Sequence, residues 1–379
     1  KTMMRNAPTR KDISGCAISG VMSETGRRLS GKLIIDSIAN MHDRSNGLGG
    51  GFAAYGIYPE HRERYALHVM YDNEAGRDRT ESVLNARCHV YHEEPIPIRP
   101  IEAIKARPLL HRYFVRISVD QLERNYDKTE DELLVRLVME INGGTDGAFI
   151  FSSGRNMGIF KGVGYPENIG RFFRLDEYEA HIWTAHGRFP TNTTGWWGGA
   201  HPFGLLDWSI VHNGEISSYG INKRYLANFG YHCAFHTDTE VITYLFDLLM
   251  RKHNLGIEAA CMAMAPPFWS QIERMPPDKQ RLARTLRTVY GGALLNGPFS
   301  VLVGHSGGMI GFNDRIKLRP MVAARKEDLL LIASEEAAIR VVCPHPDHLW
   351  QARGGEPIVG QLKTEHPAPE TAETQAQIA

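Results

Sequence analysis

Few cysteines occur in this sequence, and none of them has the spacing of a metal site. The 379 residues contain five cysteines. The absence of a CxxC pair argues against a disulfide framework, a zinc ribbon or an iron–sulfur centre. A pattern of this kind is typical of a reduced, cytoplasmic protein. The cysteines are Cys16, Cys88, Cys233, Cys261 and Cys343.

Neither sign of charge is in excess, and no hydrophobic run is long. The 43 basic and 43 acidic side chains balance, so the chain lacks the electrostatic signature of a protein that binds nucleic acid or an anionic membrane. No apolar run is long enough to span a bilayer. Residues 1–15 are basic but lack the apolar segment of a secretory signal. We therefore expect neither a nucleic-acid partner nor a membrane.

Many short apolar runs and a few longer amphipathic segments make up the rest of the chain. Capping residues and periodicity predict helices over 31–42, 130–142, 238–249 and 281–290. Regular alternation of strands and helices is missing, which favours packed sheets with outer helices over a doubly wound fold. Strands are predicted at 16–22, 52–58, 66–71, 113–118, 148–152, 157–162, 180–184, 205–211, 299–304, 309–312 and 329–333, with hairpins at 148–162 and 299–312.

Two polar motifs follow predicted strands and lie about twenty residues apart. The first, 185–192, contains Arg188, and the second, 211–216, contains Asn213 and Gly214. Side by side, a fixed cation and an Asn-Gly turn can hold a carboxylate-bearing substrate and an oxyanion. Each motif alone is more typical of an ordinary turn. The pair becomes informative together with a cysteine far upstream.

Further motifs join these two in a fixed order along the chain. They are CAISG at 16–20, His42-x-Arg44, RFPT at 188–191, HNGE at 212–215, TDTE at 237–240, NGPF at 296–299, Asp314-Arg315 running to Arg319-Pro320, and ASE at 333–335. In this order the motifs resemble a class II (N-terminal-nucleophile, or Ntn) glutamine amidotransferase domain. The resemblance is greatest to the glutaminase domain of glutamate synthase, in its separately encoded archaeal form. It implies an α+β fold, the Ntn-hydrolase αββα four-layer sandwich, with an insertion between the nucleophile strand and the RFPT motif.

The resemblance implies that Cys16 is the catalytic nucleophile. Its thiol would attack the side-chain amide of L-glutamine to give a thioester and ammonia, and water would then release glutamate. The base would be the α-amine of Cys16, which requires removal of residues 1–15 as a propeptide. Gly15, which has no Cβ, can take the geometry that an N-to-S acyl shift at the Gly15–Cys16 bond needs. The alternative is an ordinary buried cysteine behind a frayed terminus.

Further roles follow from the same resemblance. The Asn213 side chain and the Gly214 N–H would form the oxyanion hole. Arg188 would bind the substrate α-carboxylate through two hydrogen bonds, which a lysine could not reproduce. Asp238 would bind the α-ammonium group, although an acidic residue is favoured in a first helical turn for electrostatic reasons alone.

The remaining candidates surround this pocket. Thr191 and His212 would shape it, and Arg44 would orient the nucleophile. Trp196 and Trp197 lie in a glycine-rich loop, which we interpret as a mobile lid; a static aromatic plug is the alternative. No metal site is expected, because the cluster at 232–236 offers too few ligands.

We expect the chain to comprise a propeptide (1–15), an amidotransferase domain (16–350) and a flexible C-terminal tail (351–379). It contains no FMN-binding barrel and no cysteine cluster. We therefore expect no cofactor on this chain, and a glutamate synthase partner carrying FMN and an iron–sulfur cluster, in a hetero-oligomer. Two alternatives stay open: the same half-reaction serves another ammonia acceptor, or the chain is an uncleaved, silent subunit that acts as a scaffold or regulator.

Overall fold

The structure is a computed structural model that describes residues 15–189 and 195–363. These residues form eighteen strands and eleven α-helices. Within them no helix is long and apolar enough to cross a membrane. The strands are β1 (Ala17–Ser23), β2 (Leu29–Ser30), β3 (Gly50–Tyr55), β4 (Tyr65–Tyr71), β5 (Cys88–Pro95), β6 (Leu109–Ile117), β7 (Ala148–Ser152), β8 (Met157–Gly162), β9 (Glu179–Ala180), β10 (Ile182–Gly187), β11 (Phe203–Leu205), β12 (Trp208–Gly214), β13 (Phe299–His305), β14 (Gly308–Asn313), β15 (Val322–Lys326), β16 (Leu329–Ala333), β17 (His348–Gln351) and β18 (Ile358–Gln361). The helices are α1 (Gly31–Ala39), α2 (Glu74–Arg87), α3 (Val119–Arg124), α4 (Glu130–Gly144), α5 (Pro166–Phe172), α6 (Tyr219–Ala227), α7 (Asp238–Phe246), α8 (Ile257–Met264), α9 (Trp269–Ile272), α10 (Pro277–Val289) and α11 (Glu336–Val342).

Two antiparallel sheets packed face to face form the centre of the molecule. One has seven strands in the order β17-β15-β16-β1-β10-β3-β8, and the other has five in the order β11-β12-β13-β14-β18. Helices α1, α5 and α11 pack against the first sheet, α7 packs against the second, and α6 packs against α7. The sheets approach closely: a Cβ on Gly20 would lie 2.7 Å from Met309 Sδ. This arrangement confirms the αββα sandwich expected from the sequence.

Strand β1, which follows Cys16, lies inside the seven-stranded sheet and is hydrogen-bonded on both sides. Ile18 is opposite His186 of β10, and Ser19 is opposite Ala333 of β16. Every residue of β1 is buried. Two ladders therefore fix the position of Cys16, the residue that precedes this strand.

An inserted unit covering residues 65–152 separates β3 from β8. Its four-stranded sheet has the order β5-β6-β4-β7. Helix α4 begins with a complete capping box, in which Thr129 and Glu132 bond reciprocally. Its buried leucines pack into a second hydrophobic core, with partners from β4, β6 and β7. The insertion expected before the RFPT motif is therefore a folded layer of its own.

The hairpin predicted over 148–162 is wrong, although both strand bounds are correct. β7 pairs with β4 of the inserted sheet, whereas β8 pairs with β3 of the seven-stranded sheet. The segment between β7 and β8 is held by a residue that belongs to neither strand, because the Arg155 N–H donates to Asp207 Oδ1 at 2.8 Å. The second predicted hairpin, β13 with β14, is confirmed.

Two other expectations need correction. The polar motifs do not begin after their strands, since β10 continues to Gly187 and β12 to Gly214. The tail does not begin at residue 351, because β18 pairs with β14 in the five-stranded sheet. A four-residue strand with one buried hydrophobic side chain, Ile358, leaves little hydrophobic pattern to detect. Residues 1–14 and 364–379 lie outside the described residues.

Candidate active site

Strand ends from both central sheets meet at Cys16. The cysteine precedes β1, Arg188 follows β10, and Asn213 lies near the end of β12. The Phe189 N–H donates a hydrogen bond to Cys16 Sγ at 3.4 Å. The backbone of Arg188 is fixed as well, because its N–H donates to the Gly49 carbonyl at 2.9 Å. The structure thus brings together a thiol, a guanidinium group and a carboxamide.

The environment of Cys16 keeps its thiol protonated. Burial raises the pKa of the thiol, and Asp238 raises it further, while the Phe189 N–H, Arg188 and Arg319 lower it; the net shift is upward. A thiol in this state needs a base before it can attack an amide. Cys16 is nevertheless more exposed than the other four cysteines, all of which are buried.

Asn213 and Gly214, the predicted oxyanion hole, end strand β12. Asn213 is buried, yet among the described residues neither its Nδ2 nor its Oδ1 has a hydrogen-bond partner. A buried amide without partners is costly and therefore indicates a function. Gly214 has φ of 153°, and a Cβ there would lie 2.1 Å from the Pro298 carbonyl. Only glycine fits this position.

Asp238 is the first residue of α7 and carries a negative charge at neutral pH. Burial raises its pKa, but His212, the Ile216 N–H and Thr239 outweigh that effect and lower it. The Ile216 N–H donates to Asp238 Oδ2 at 3.1 Å. The charges of Asp238 and Arg188 act on each other. Together they complement the ammonium and carboxylate groups of an α-amino acid.

His212 supports Asp238 from behind. Its Nδ1 lies 3.5 Å from Asp238 Oδ1 and 3.1 Å from Thr239 Oγ1. The same hydroxyl bonds His201 Nε2 at 2.7 Å, and His186 Nε2 bonds the His212 carbonyl at 3.0 Å. Burial lowers the pKa of His186 to about 3. Burial also lowers the pKa of His201, so His186 and His201 form a neutral, polar layer behind His212.

Arg44 lies beside Gly15, the residue that precedes Cys16. Its Nη1 would be 3.4 Å from a Cβ on Gly15, and its Nε forms a short ion pair with Glu335. This places Arg44 near Cys16, as predicted, and explains the ASE motif at 333–335 as its partner. Thr191 lies outside the described residues.

Two cations near the site were not among the residues selected from the sequence. Arg319 belongs to the Arg-Pro motif quoted above, which could have revealed it, but no role was assigned. Nothing in the sequence around Lys161, which lies in an apolar strand, indicates that it belongs to a site. It is buried, its Nζ donates to the Gly198 carbonyl at 2.9 Å, and burial lowers its pKa to about 7.

The tryptophan loop packs onto neighbouring elements. The Trp197 Nε1 donates to the Ala106 carbonyl at 3.2 Å. Trp196 stacks on Phe235 and contacts Phe149 of the inserted sheet edge to face. The lid interpretation stays a prediction.

A cluster of possible metal ligands lies outside this site. In the described part of the chain, Glu81, Glu93 and His111 of the inserted unit could together offer three ligand atoms. Arg77 lies 2.7 Å from Glu81 and 3.7 Å from Glu93. Because a guanidinium group already bridges the two carboxylates, we interpret this cluster as an ion-pair network.

The chain belongs to the class-II glutamine amidotransferases, whose family model matches residues 59–347. The amidotransferase resemblance found in the sequence is thereby confirmed. Arg188, Asn213 and Asp238 lie inside the matched range, and Cys16 and Arg44 precede it. Members of this class are enzymes that hydrolyse glutamine and transfer its amide nitrogen.

Similar proteins come from archaea and bacteria. The chain is 50% identical to an uncharacterized protein of Archaeoglobus fulgidus, over 93% of this chain and 94% of that protein. It is 23% identical to a putative glutamine amidotransferase of Methanothermobacter thermautotrophicus, over 86% and 93% of the two chains. It is 24% identical to the NADPH glutamate synthase large chain of Bacillus subtilis, over 74% of this chain and 20% of that one.

Among solved structures, the chain is similar to the glutamine phosphoribosylpyrophosphate amidotransferase of B. subtilis. The TM-score is 0.46 at 14% sequence identity. The similarity covers 91% of this chain and 47% of that one.

Proposed function

We propose that this chain is the glutaminase subunit of a glutamate synthase, with Cys16 as its N-terminal nucleophile. The observation that carries the proposal is the convergence of Cys16, Arg188, Asp238 and Asn213 at one point of the sandwich. Each of these groups has a counterpart in glutamine: the side-chain amide carbon, the carboxylate, the ammonium group and the developing oxyanion.

The reaction runs in two steps. With its α-carboxylate on Arg188 and its α-ammonium group on Asp238, glutamine presents its amide to Cys16 Sγ. Attack forms a tetrahedral oxyanion held by Asn213 Nδ2 and the Gly214 N–H. The C–N bond breaks and ammonia leaves with the thiol proton. Water then cleaves the thioester, which releases glutamate and restores the thiol.

The α-nitrogen of Cys16 serves as the base once Gly15 has been removed. In the present chain this nitrogen is an amide and cannot accept a proton. Gly15 has φ of 137°, a conformation that disfavours any other residue. Such a backbone supports cleavage at the Gly15–Cys16 bond, which makes 1–15 a propeptide.

The ammonia acceptor is 2-oxoglutarate on a partner subunit that carries FMN and an iron–sulfur cluster. The support is the similarity to the B. subtilis glutamate synthase large chain, of which this chain covers 20%. The remaining chemistry would then belong to a separate polypeptide in a hetero-oligomer.

Intact mass and N-terminal sequencing of the purified protein test the proposal, followed by a glutaminase assay. We expect a chain that begins at Cys16, and activity that Cys16→Ala reduces at least about a thousandfold. Cys343→Ala, which changes a buried cysteine outside the site, serves as the control and retains activity. A chain that keeps Gly15 and shows no activity would instead favour the silent scaffold.

A further inference from the structure

Three arginines surround the Gly15–Cys16 bond, and the third has no evident partner. Arg44 is paired with Glu335, and Arg188 faces the substrate pocket. Arg319 forms no ion pair with any described residue, and its buried Nε has no hydrogen-bond partner there. An uncompensated cation at a partly buried position is costly and calls for a function.

The position of Arg319 is fixed by the loop that carries it. Its carbonyl accepts a hydrogen bond from Asn313 Nδ2 at 2.9 Å. Within the same loop, the Leu318 N–H donates to Asp314 Oδ2 at 2.9 Å, and the Ile316 N–H donates to Asp314 Oδ1 at 3.0 Å. The backbone of residues 314–319 is therefore pinned at the end of β14, and the guanidinium group is directed from a rigid base.

The guanidinium group faces the nucleophile. A Cβ on Gly15 would lie 3.7 Å from Arg319 Nη1, and Gly15 is bonded directly to the α-nitrogen of Cys16. The charge of Arg319 also acts on the Cys16 thiol. Arg319 therefore reaches the two Cys16 groups that exchange a proton in the proposed reaction.

We propose that Arg319 is a positioning residue that keeps the freed α-amine of Cys16 in its neutral, basic form. The inference rests on the proposed function, because the amine exists only after cleavage. An N-terminal amine has an unperturbed pKa of about 8, so only roughly a tenth of it is neutral at pH 7. A nearby positive charge disfavours the ammonium form and moves that pKa towards neutrality.

Other charges around Cys16 do not replace this effect. Arg188 and Asp238 act on Cys16 with opposite signs, and bound glutamine would neutralise both through its carboxylate and ammonium groups. The charge of Arg44 is offset by Glu335. Arg319 is thus the cation whose field persists in the free enzyme and in the substrate complex.

The test is the pH dependence of kcat/KM for glutamine, measured on the cleaved enzyme and its Arg319→Gln and Arg319→Lys variants. The acidic limb of this profile reports the essential base of the free enzyme. We expect Arg319→Gln to move that limb up by about one pH unit, with activity near wild type at high pH. Arg319→Lys keeps the charge and should stay close to wild type.

Arg281→Gln provides the matched control, because Arg281 is exposed and pairs with Asp278 on α10. Its profile should coincide with that of the wild type. The proposal fails if Arg319→Gln lowers activity by the same factor at every pH. It also fails if Arg319→Lys behaves like Arg319→Gln, since shape and not charge would then matter.

A second measurement separates this proposal from the proposed function. Variants that do not remove residues 1–15 by themselves can be made with a single Met in place of those residues. The cell removes this Met, so the α-nitrogen of Cys16 is free in every variant. The neutral fraction of the α-nitrogen is then read from its acetylation by acetic anhydride at several pH values, with S-acetyl groups removed by hydroxylamine before mass spectrometry. A wild type without glutaminase activity would overturn the proposed function. Identical labelling curves for wild type and Arg319→Gln would overturn the role of Arg319.

Discussion

The candidate active site and the inserted unit differ in whether their polar side chains have hydrogen-bond partners. In the inserted unit, arginines and glutamates pair. Arg112 donates from two nitrogens to Glu94 Oε1 at 2.9 and 2.6 Å, and Arg116 donates from two nitrogens to the two carboxylate oxygens of Glu130, each at 2.9 Å. Around Cys16, by contrast, Asn213 and Arg319 keep buried polar atoms without partners among the described residues.

The difference shows which region is built for stability and which for binding. Of the described residues 65–152, only Ser118 has a buried side-chain polar atom without a hydrogen-bond partner. Unsatisfied groups lower stability and persist where a ligand satisfies them. The contrast predicts that changes around Cys16 alter kinetics, whereas equivalent changes in the inserted unit alter stability.

The largest effect is expected from Asn213→Ala. Loss of an oxyanion-hole donor lowers kcat by roughly 100- to 1000-fold, while the melting temperature should change little, because the Asn213 side chain bonds no described residue. Asn222→Ala is the matched control, since Asn222 Nδ2 donates to the Gly292 and Leu294 carbonyls. It should lower the melting temperature and leave kcat unchanged. Equal kinetic losses in both variants would contradict the assignment.

Next in size is Arg188→Lys, compared with Arg112→Lys. A lysine cannot bind a carboxylate through two parallel hydrogen bonds, so we expect KM for glutamine to rise about 100-fold. Arg112→Lys removes the paired hydrogen bonds from Nε and Nη2 to Glu94 Oε1 and should lower stability at constant KM. Steady-state kinetics and urea unfolding of both variants measure the two effects. A raised KM in Arg112→Lys would show that the regions are not separable.

A smaller effect is expected on the pH dependence of stability, and it has opposite signs for Glu240 and for Glu94 of the inserted unit. Burial raises the pKa of Glu240 to about 7, so its contribution to stability is present at low pH and is lost as the pH rises through 7. Glu240→Gln should therefore gain on the order of 2 kcal/mol relative to wild type between about pH 4 and 8. Urea unfolding at several pH values measures this gain.

Glu94→Gln is the counterpart in the inserted unit. Burial raises the pKa of Glu94, but Arg112 outweighs that effect and lowers it. Its stabilisation is therefore present above the ordinary pKa of a glutamate and disappears on acidification. The variant should be less stable than wild type at neutral pH and equally stable in acid. Parallel pH profiles for Glu240→Gln and Glu94→Gln would contradict the comparison.

The smallest effect concerns Trp196, which touches both regions. It stacks on Phe235 near the site and contacts Phe149 of the inserted sheet. If the loop is a lid, glutamine should shift the Trp196 emission in the inactive Cys16→Ala protein. The contribution of Trp196 to the emission is obtained by subtracting the spectrum of a variant that also carries Trp196→Phe. Trp269→Phe serves as control, and an unchanged spectrum would favour the static plug.

Local signals in the sequence located individual elements well. The capping box at Thr129 predicted the start of α4, and the bounds of β7 and β8 were correct. Such signals depend on neighbours within a few residues, so they survive whatever the rest of the chain does. The family motifs likewise indicated Cys16, Arg188, Asn213 and Asp238 before any geometry was known.

Contacts between residues that are distant in the sequence could not be predicted from it. The pairing of β7 with β4 and of β8 with β3 depends on which sheet each strand enters, and a short turn between two strands does not specify that. Lys161 was missed because nothing nearby in the sequence accounts for a lysine in an apolar strand. The Gly198 carbonyl, which accepts the hydrogen bond from Lys161 Nζ, lies 37 residues away.

Strand β18 has a practical consequence for anyone who shortens this protein. It covers the backbone edge of β14 over Gly308–Gly311, and removal of residues beyond 350 would leave those N–H and C=O groups open. An uncovered strand edge recruits strands of other molecules. A truncated chain should therefore self-associate, and light scattering would reveal aggregates that the chain ending after residue 363 does not form.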